Sequence, residues 1–192
     1  MDIHKRINAR KLMLTYIYHY CFLYKTSLEI QHANTDPTWK VESGREPFFD
    51  QNFLADLQEL WTKSSKEGEN FQKKLQEWTS AEGSEEIPYY LTNFFDQWKS
   101  SEIDGEYVAL LTEKFPHYID EIKDLVNKYA DTFTYDEMEA TNQALFLLGY
   151  TEFKVLNTPK AVVINEMVEL AKRYADEGSP KLLNGILEKI LY

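Results

Sequence analysis

Apolar side chains return every three or four residues through most of this 192-residue chain, and that period predicts helices from end to end. The plainest case lies near the C-terminus, where Val163, Met167, Leu170, Ala171 and Tyr174 share one face of a segment that begins at Pro159. Thr158 can cap this helix, and Pro159 suits its first position. The polar turn 175–178 separates it from a second helix, whose apolar stripe is Leu183, Ile186, Leu187 and Ile190. Ser179 suits the cap there and Pro180 the first position. Asn184 and Gly185 would favour a hairpin turn in isolation. The stripe on both sides keeps the helix, with Gly185 allowing a neighbouring helix to come close.

The same period organises the rest. Residues 5 to about 25 carry Met13, Ile17, Cys21 and Tyr24 on one face, widened by Leu12, Tyr16 and Leu23. A helix apolar on most sides belongs in the middle of a bundle. Residues 34–47 read as a loop broken by Pro37, Gly44 and Pro47. Shorter helices are expected at 48–62, 71–78 and 88–98, with polar links between them. Residues 104–114 place Tyr107, Leu110 and Leu111 inside, and residues 118–129 do the same with Ile119, Ile122 and Val126. Thr134 and Glu137 have the spacing of a capping box, predicting a helix that runs through Met138, Leu145, Leu148 and Phe153. No strand is required, so the fold class is all-α.

Charge and composition narrow the function. Acids outnumber bases 32 to 21, a net charge of −11. That argues against nonspecific nucleic-acid binding, which depends on a positive field. The single cysteine, Cys21, excludes an internal disulfide and suits a reducing cytoplasm. The run from Leu12 to Tyr24 follows basic residues, as in a leader peptide. Thr15 and His19 interrupt it, and it falls short of the ~20 apolar residues that span a bilayer. His4, His19, His32 and His117 lack metal-site spacing, and no phosphate loop, nucleophile elbow or Cys-x-x-Cys occurs, so neither enzyme activity nor a cofactor is expected. Cys21 in its apolar run reads as an inert core thiol. Glu169 and Arg173, four apart, can pair on a solvated helix face, while Asn165 and Glu166 brace neighbouring helices.

One cluster stands out against the acidic background. Lys5, Arg6, Arg10 and Lys11 open the first helix, with Tyr16, Tyr18 and Tyr20 just beyond. Basic groups beside aromatic faces suit phosphates and unpaired bases.

The sequence also resembles a known family. The run Val-Ile-Asn-Glu-x-Val-Glu-Leu-Ala-Lys, a polar turn, and then Ser-x-Lys-x-x-Asn-Gly-Ile-Leu is similar to the C-terminal signature of the NusB family of transcription antitermination factors. Residues 9–18, from Ala9-Arg10-Lys11 to Tyr18, resemble that family's N-terminal helix. Residues 144–153 resemble a third segment, with Leu147 where an arginine is usual. The likeness covers about 4–25 and 102–191 and fades between. It implies a single NusB-like domain over 1–192, a helical bundle of two packed helical subdomains with a divergent acidic and aromatic insertion at about 35–101. Phe48, Phe49, Trp61, Trp78 and Trp98 of that insertion would either be structural or form a partner surface.

The implied function is a cytoplasmic transcription antitermination factor, a monomer or weak homodimer. It would bind boxA RNA of nascent ribosomal RNA transcripts with NusE, a small-subunit ribosomal protein, and help RNA polymerase resist termination. Carried over residue by residue, the RNA-binding set is Lys5, Arg6, Arg10, Lys11 and Tyr18 with Gly178, Ser179, Lys181 and Leu182. Asn165, Glu166, Asn184 and Gly185 belong to the family signature. An acid is frequent in the family where Gly178 stands, and phenylalanine where Leu182 stands. The alternative is a NusB-like protein-interaction module that has lost RNA binding.

Overall fold

A computed structural model describes residues 2–35, 100–130 and 132–192. Residues 36–47 of the loop expected at 34–47, and the three helices of the insertion, lie outside the described residues. Those described form six α-helices and no strand: α1 (Ile3–Thr35), α2 (Gly105–Lys114), α3 (Ile119–Tyr129), α4 (Ala140–Leu156), α5 (Lys160–Tyr174) and α6 (Ser179–Ile190). They share one hydrophobic core.

The middle of the bundle is α4, not α1. Every residue from Asn142 to Glu152 is buried, and α1, α2, α5 and α6 all pack around this helix. Where its side chains are described, α1 buries only one side, with Ala9, Leu12, Met13, Ile17 and Cys21 inside and Tyr18 and Phe22 exposed. It also runs to Thr35, ten residues past the expected end, because no glycine or proline interrupts the chain before Pro37.

Several boundaries differ from the sequence reading for local reasons. The Thr134–Glu137 capping box forms, but it closes a 3-10 turn, Tyr135–Glu137. Met138 then adopts an extended conformation, and α4 starts at Ala140. Asn157 ends α4 in the left-handed region at φ 50°, a conformation that asparagine tolerates better than most residues. Pro159 precedes the first turn of α5 rather than occupying it, and Thr158 makes no capping bond. Gly178 likewise stands before α6, which Ser179 and Pro180 begin.

Helices α5 and α6 form an antiparallel hairpin. Lys160, at the start of α5, reaches Glu188 near the end of α6, with Nζ–Oε1 3.0 Å. The expected stripes of both helices are buried, except that Tyr174 is exposed. The close approach of helices falls at Gly149 rather than Gly185. A Cβ on Gly149 would meet Met167 Cγ at 2.8 Å and Val163 Cγ1 at 3.4 Å. One on Gly185 would meet nothing within 4 Å.

Candidate functional site

The opening turns of α1 are strapped to residues 102–104. The Asp104 amide donates to the Lys5 carbonyl at 3.2 Å, and Asn8 Nδ2 donates to the Glu102 carbonyl at 3.1 Å. Asp104 also caps α2, its Oδ1 accepting from the Tyr107 amide at 3.0 Å. Its other oxygen takes Arg6, whose Nε donates to Oδ2 at 2.9 Å. The Arg6 guanidinium lies 4.5 Å from the centroid of the Tyr107 ring, within cation–π range.

Arg10 lies deeper. Its Nε and Nη2 donate to Glu152 at 2.9 and 2.7 Å in a bidentate fork, and its Nη1 donates to Glu166 at 3.1 Å. Glu152 is fully buried, and its Oε2 also accepts the Tyr107 hydroxyl at 2.7 Å. A chain of contacts therefore runs Asp104, Arg6, Tyr107, Glu152, Arg10, Glu166, joining α1 to α2, α4 and α5. Buried charges persist only when paired and hydrogen-bonded, and here both groups are. Burial alone would lower the pKa of Arg10, but its hydrogen bonds to Glu152 and the charges of Glu152, Tyr107 and Glu166 outweigh it, and the net direction is up. Burial raises the Tyr107 phenol well above its usual range, and the Glu152 charge and hydrogen bond add to that.

This geometry divides the nine residues expected to bind RNA. Arg10 is enclosed at 6% exposure, and Arg6 is held by Asp104. Lys5 and Lys11 are half-buried on the same turns. Tyr18 is exposed and stacks on Phe22, with centroids 6.1 Å apart. Tyr16 and Tyr20, expected as stacking faces, instead turn their rings edge-on to Phe115 at 5.8 and 5.5 Å. At the hairpin turn, Gly178 and Lys181 are exposed, Leu182 is half-buried and Ser179 is buried. Eight residues of helix, roughly 12 Å, separate Glu166 from the end of α5 before this turn.

Of the signature residues, Asn165, Asn184 and Gly185 are exposed, while Glu166 braces α1 through Arg10. Glu169 pairs with Lys172 at 2.6 Å, not with Arg173. Sequence reasoning missed Asp104, Tyr107 and Glu152. A signal existed for Glu152, the one acid in the apolar run 144–153.

Cys21 is buried, and burial pushes its thiol up to about 12. Among the described residues, no group of three or more His, Cys, Asp or Glu side chains could hold a metal ion. No helix among them is long and apolar enough to cross a membrane.

A family model described as the NusB family matches residues 50–192. The chain belongs to the NusB family. The match begins inside the stretch read as an insertion and leaves α1 outside it. Among curated relatives, the transcription antitermination protein NusB of Streptomyces griseus is 37% identical over 86 residues, 44% of this chain and 60% of that protein. The Sulfurovum protein of the same name is 42% identical over 65 residues, 34% of this chain and 50% of its own length. The Nitratiruptor protein is 28% identical over 108 residues, 56% of this chain and 78% of its own length. The chain thus spans 50–60% of the first two of these NusB proteins. A solved structure of T. maritima NusB aligns with 53% of this chain and 71% of its own, at 26% identity and a TM-score of 0.45.

Proposed function

We propose that this chain is a noncovalent adaptor in transcription antitermination, binding the boxA element of nascent ribosomal RNA together with NusE and helping RNA polymerase resist termination. The family match over residues 50–192 carries this reading. Relatives named transcription antitermination protein NusB support it.

In this account the lysine ammoniums do the gripping. Lys5, Lys11 and Lys181 hold phosphates, and Tyr18 offers a ring face to an unpaired base. Gly178 lets the transcript approach the backbone of the hairpin turn, where Ser179 starts α6 and Leu182 adds apolar contact. Lys5 and Lys181 have no carboxylate partner among the described residues. Arg6 and Arg10 act from inside, holding the first turns of α1 in place.

One observation favours a second reading, a protein-interaction module without RNA binding. Both arginines of the basic end are neutralised by carboxylates in a chain of net charge −11. Titrating a boxA RNA against the protein, with and without NusE, separates the two. The adaptor binds the RNA with NusE present, and Lys5→Gln plus Lys11→Gln weakens that binding. A chain that binds NusE but leaves the RNA free at all concentrations is the interaction module.

A further inference from the structure

Where α3 and α6 end, two lysines converge on one tyrosine without a counter-ion. Lys128 lies in the last turn of α3 and Lys189 in the last turn of α6. Their ammonium nitrogens stand 5.3 and 5.7 Å from the Tyr129 ring centroid, so no more than about 11 Å separates them. Neither forms an ion pair with a carboxylate among the described residues. Their neighbours behave differently: Lys123 pairs with Asp136, Lys154 with Glu121, and Lys160 with Glu188. The carbonyl end of a helix favours a lysine, which accounts for one on each helix. It does not account for both facing the same ring, where like charges repel over a distance comparable to the ~10 Å Debye length at 0.1 M salt. In a chain of net charge −11, such a pair is a local positive spot suited to an external anion.

The surroundings narrow the kind of anion. Tyr192 follows Lys189 by three residues and is 75% exposed. Lys154 Nζ lies 5.9 Å from its ring centroid and 5.2 Å from that of Tyr150. Of the acids nearby, Glu121 accepts the Tyr150 hydroxyl at 2.6 Å and pairs with Lys154 at 3.7 Å, and Glu188 pairs with Lys160; Asp124 is also exposed on α3. An acidic peptide would need only the ammoniums. An ammonium beside an exposed ring, as Lys154 stands to Tyr192, matches a strand that alternates phosphates with unpaired bases.

We infer that the α3–α6 end is a second contact for single-stranded RNA, with phosphate between Lys128 and Lys189 and a base on the ring of Tyr192. The choice of RNA rests on the reading above; the anion site itself does not.

The test uses fluorescence anisotropy of a labelled oligouridylate of about twelve nucleotides on the full chain, with polyglutamate as competitor. Lys128→Gln plus Lys189→Gln should weaken binding about tenfold and flatten the log–log salt slope by about 1.4, the share of two single-strand phosphate contacts. Tyr192→Ala should weaken binding several-fold with the slope unchanged. All three residues are on the surface, so circular dichroism should report an intact fold. The proposal is overturned if the oligouridylate does not bind, if the double lysine variant keeps wild-type affinity and slope, or if polyglutamate displaces the RNA efficiently. Repeating the titration with boxA RNA and NusE keeps the two readings apart. Loss on Lys5→Gln plus Lys11→Gln alone keeps the adaptor and removes this patch. Loss on the Lys128 and Lys189 variant alone keeps the patch and removes the α1 contact.

Discussion

Removing the carboxylate of Glu152 would strand a guanidinium that has 6% exposure and only Glu166 left to pair with. Glu152→Ala is therefore expected to cost about 3–5 kcal/mol in urea unfolding, the usual penalty for leaving one partner of a buried pair. Replacing both, with Arg10→Met and Glu152→Leu, should cost clearly less, because no buried charge is then left over. Cys21 gives a prediction of another kind. Burial holds its thiol at about 12, above its usual 9, so the folded state keeps the proton more tightly than the unfolded chain. Its contribution is full below about pH 9 and is lost as pH rises toward 12. Thiol reagents at neutral pH should label it only as fast as the protein unfolds, and Cys21→Ala should flatten the alkaline decline. At this scale the sequence was half informative. Glu152 breaks an apolar run and so stands out, while Arg10 is visible only as one of the basic residues that open α1. That they meet does not show, since 142 residues separate them.

Between elements, the glycines carry the contrast. Gly149 lets α4 and α5 touch, and a methyl there would push against Met167 Cγ at 2.8 Å. Gly149→Ala should lower stability by about 1–3 kcal/mol through overpacking. Gly185 faces open space within α6, so Gly185→Ala should raise stability by up to about 1 kcal/mol through helix propensity. Paired thermal or urea unfolding of the two variants, moving in opposite directions, checks both. Periodicity located every described helix, because stripes such as Ile122 with Val126, and Leu183 with Ile186 and Leu187, are fixed by local spacing. It could not tell which glycine two helices share, since that depends on how they cross. Nor could it tell that the Thr134 box would close a single turn, with Met138 then leaving the helical region.

For the molecule as a whole, the charge balance singles out the basic end of α1 as the most promising RNA grip. Three-dimensional packing redistributes it. Asp104, 98 residues along the chain, takes Arg6, and Glu166, 156 residues along, shares Arg10. Cationic groups without a carboxylate partner among the described residues include Lys5 on α1, Lys181 at the hairpin turn, and Lys128 and Lys189 at the α3–α6 end. The family signature at 159–190 was legible because both of its motifs are local in sequence. The pairing of the arginines was not, because each partner comes from a distant element. The salt dependence of boxA RNA binding in the presence of NusE tests this division most directly. Lys5→Gln plus Lys11→Gln should flatten the log–log slope by about 1.4, while Arg6→Lys, which stays folded, should leave the slope unchanged. A slope that responds to Arg6 and not to the two lysines would contradict the account.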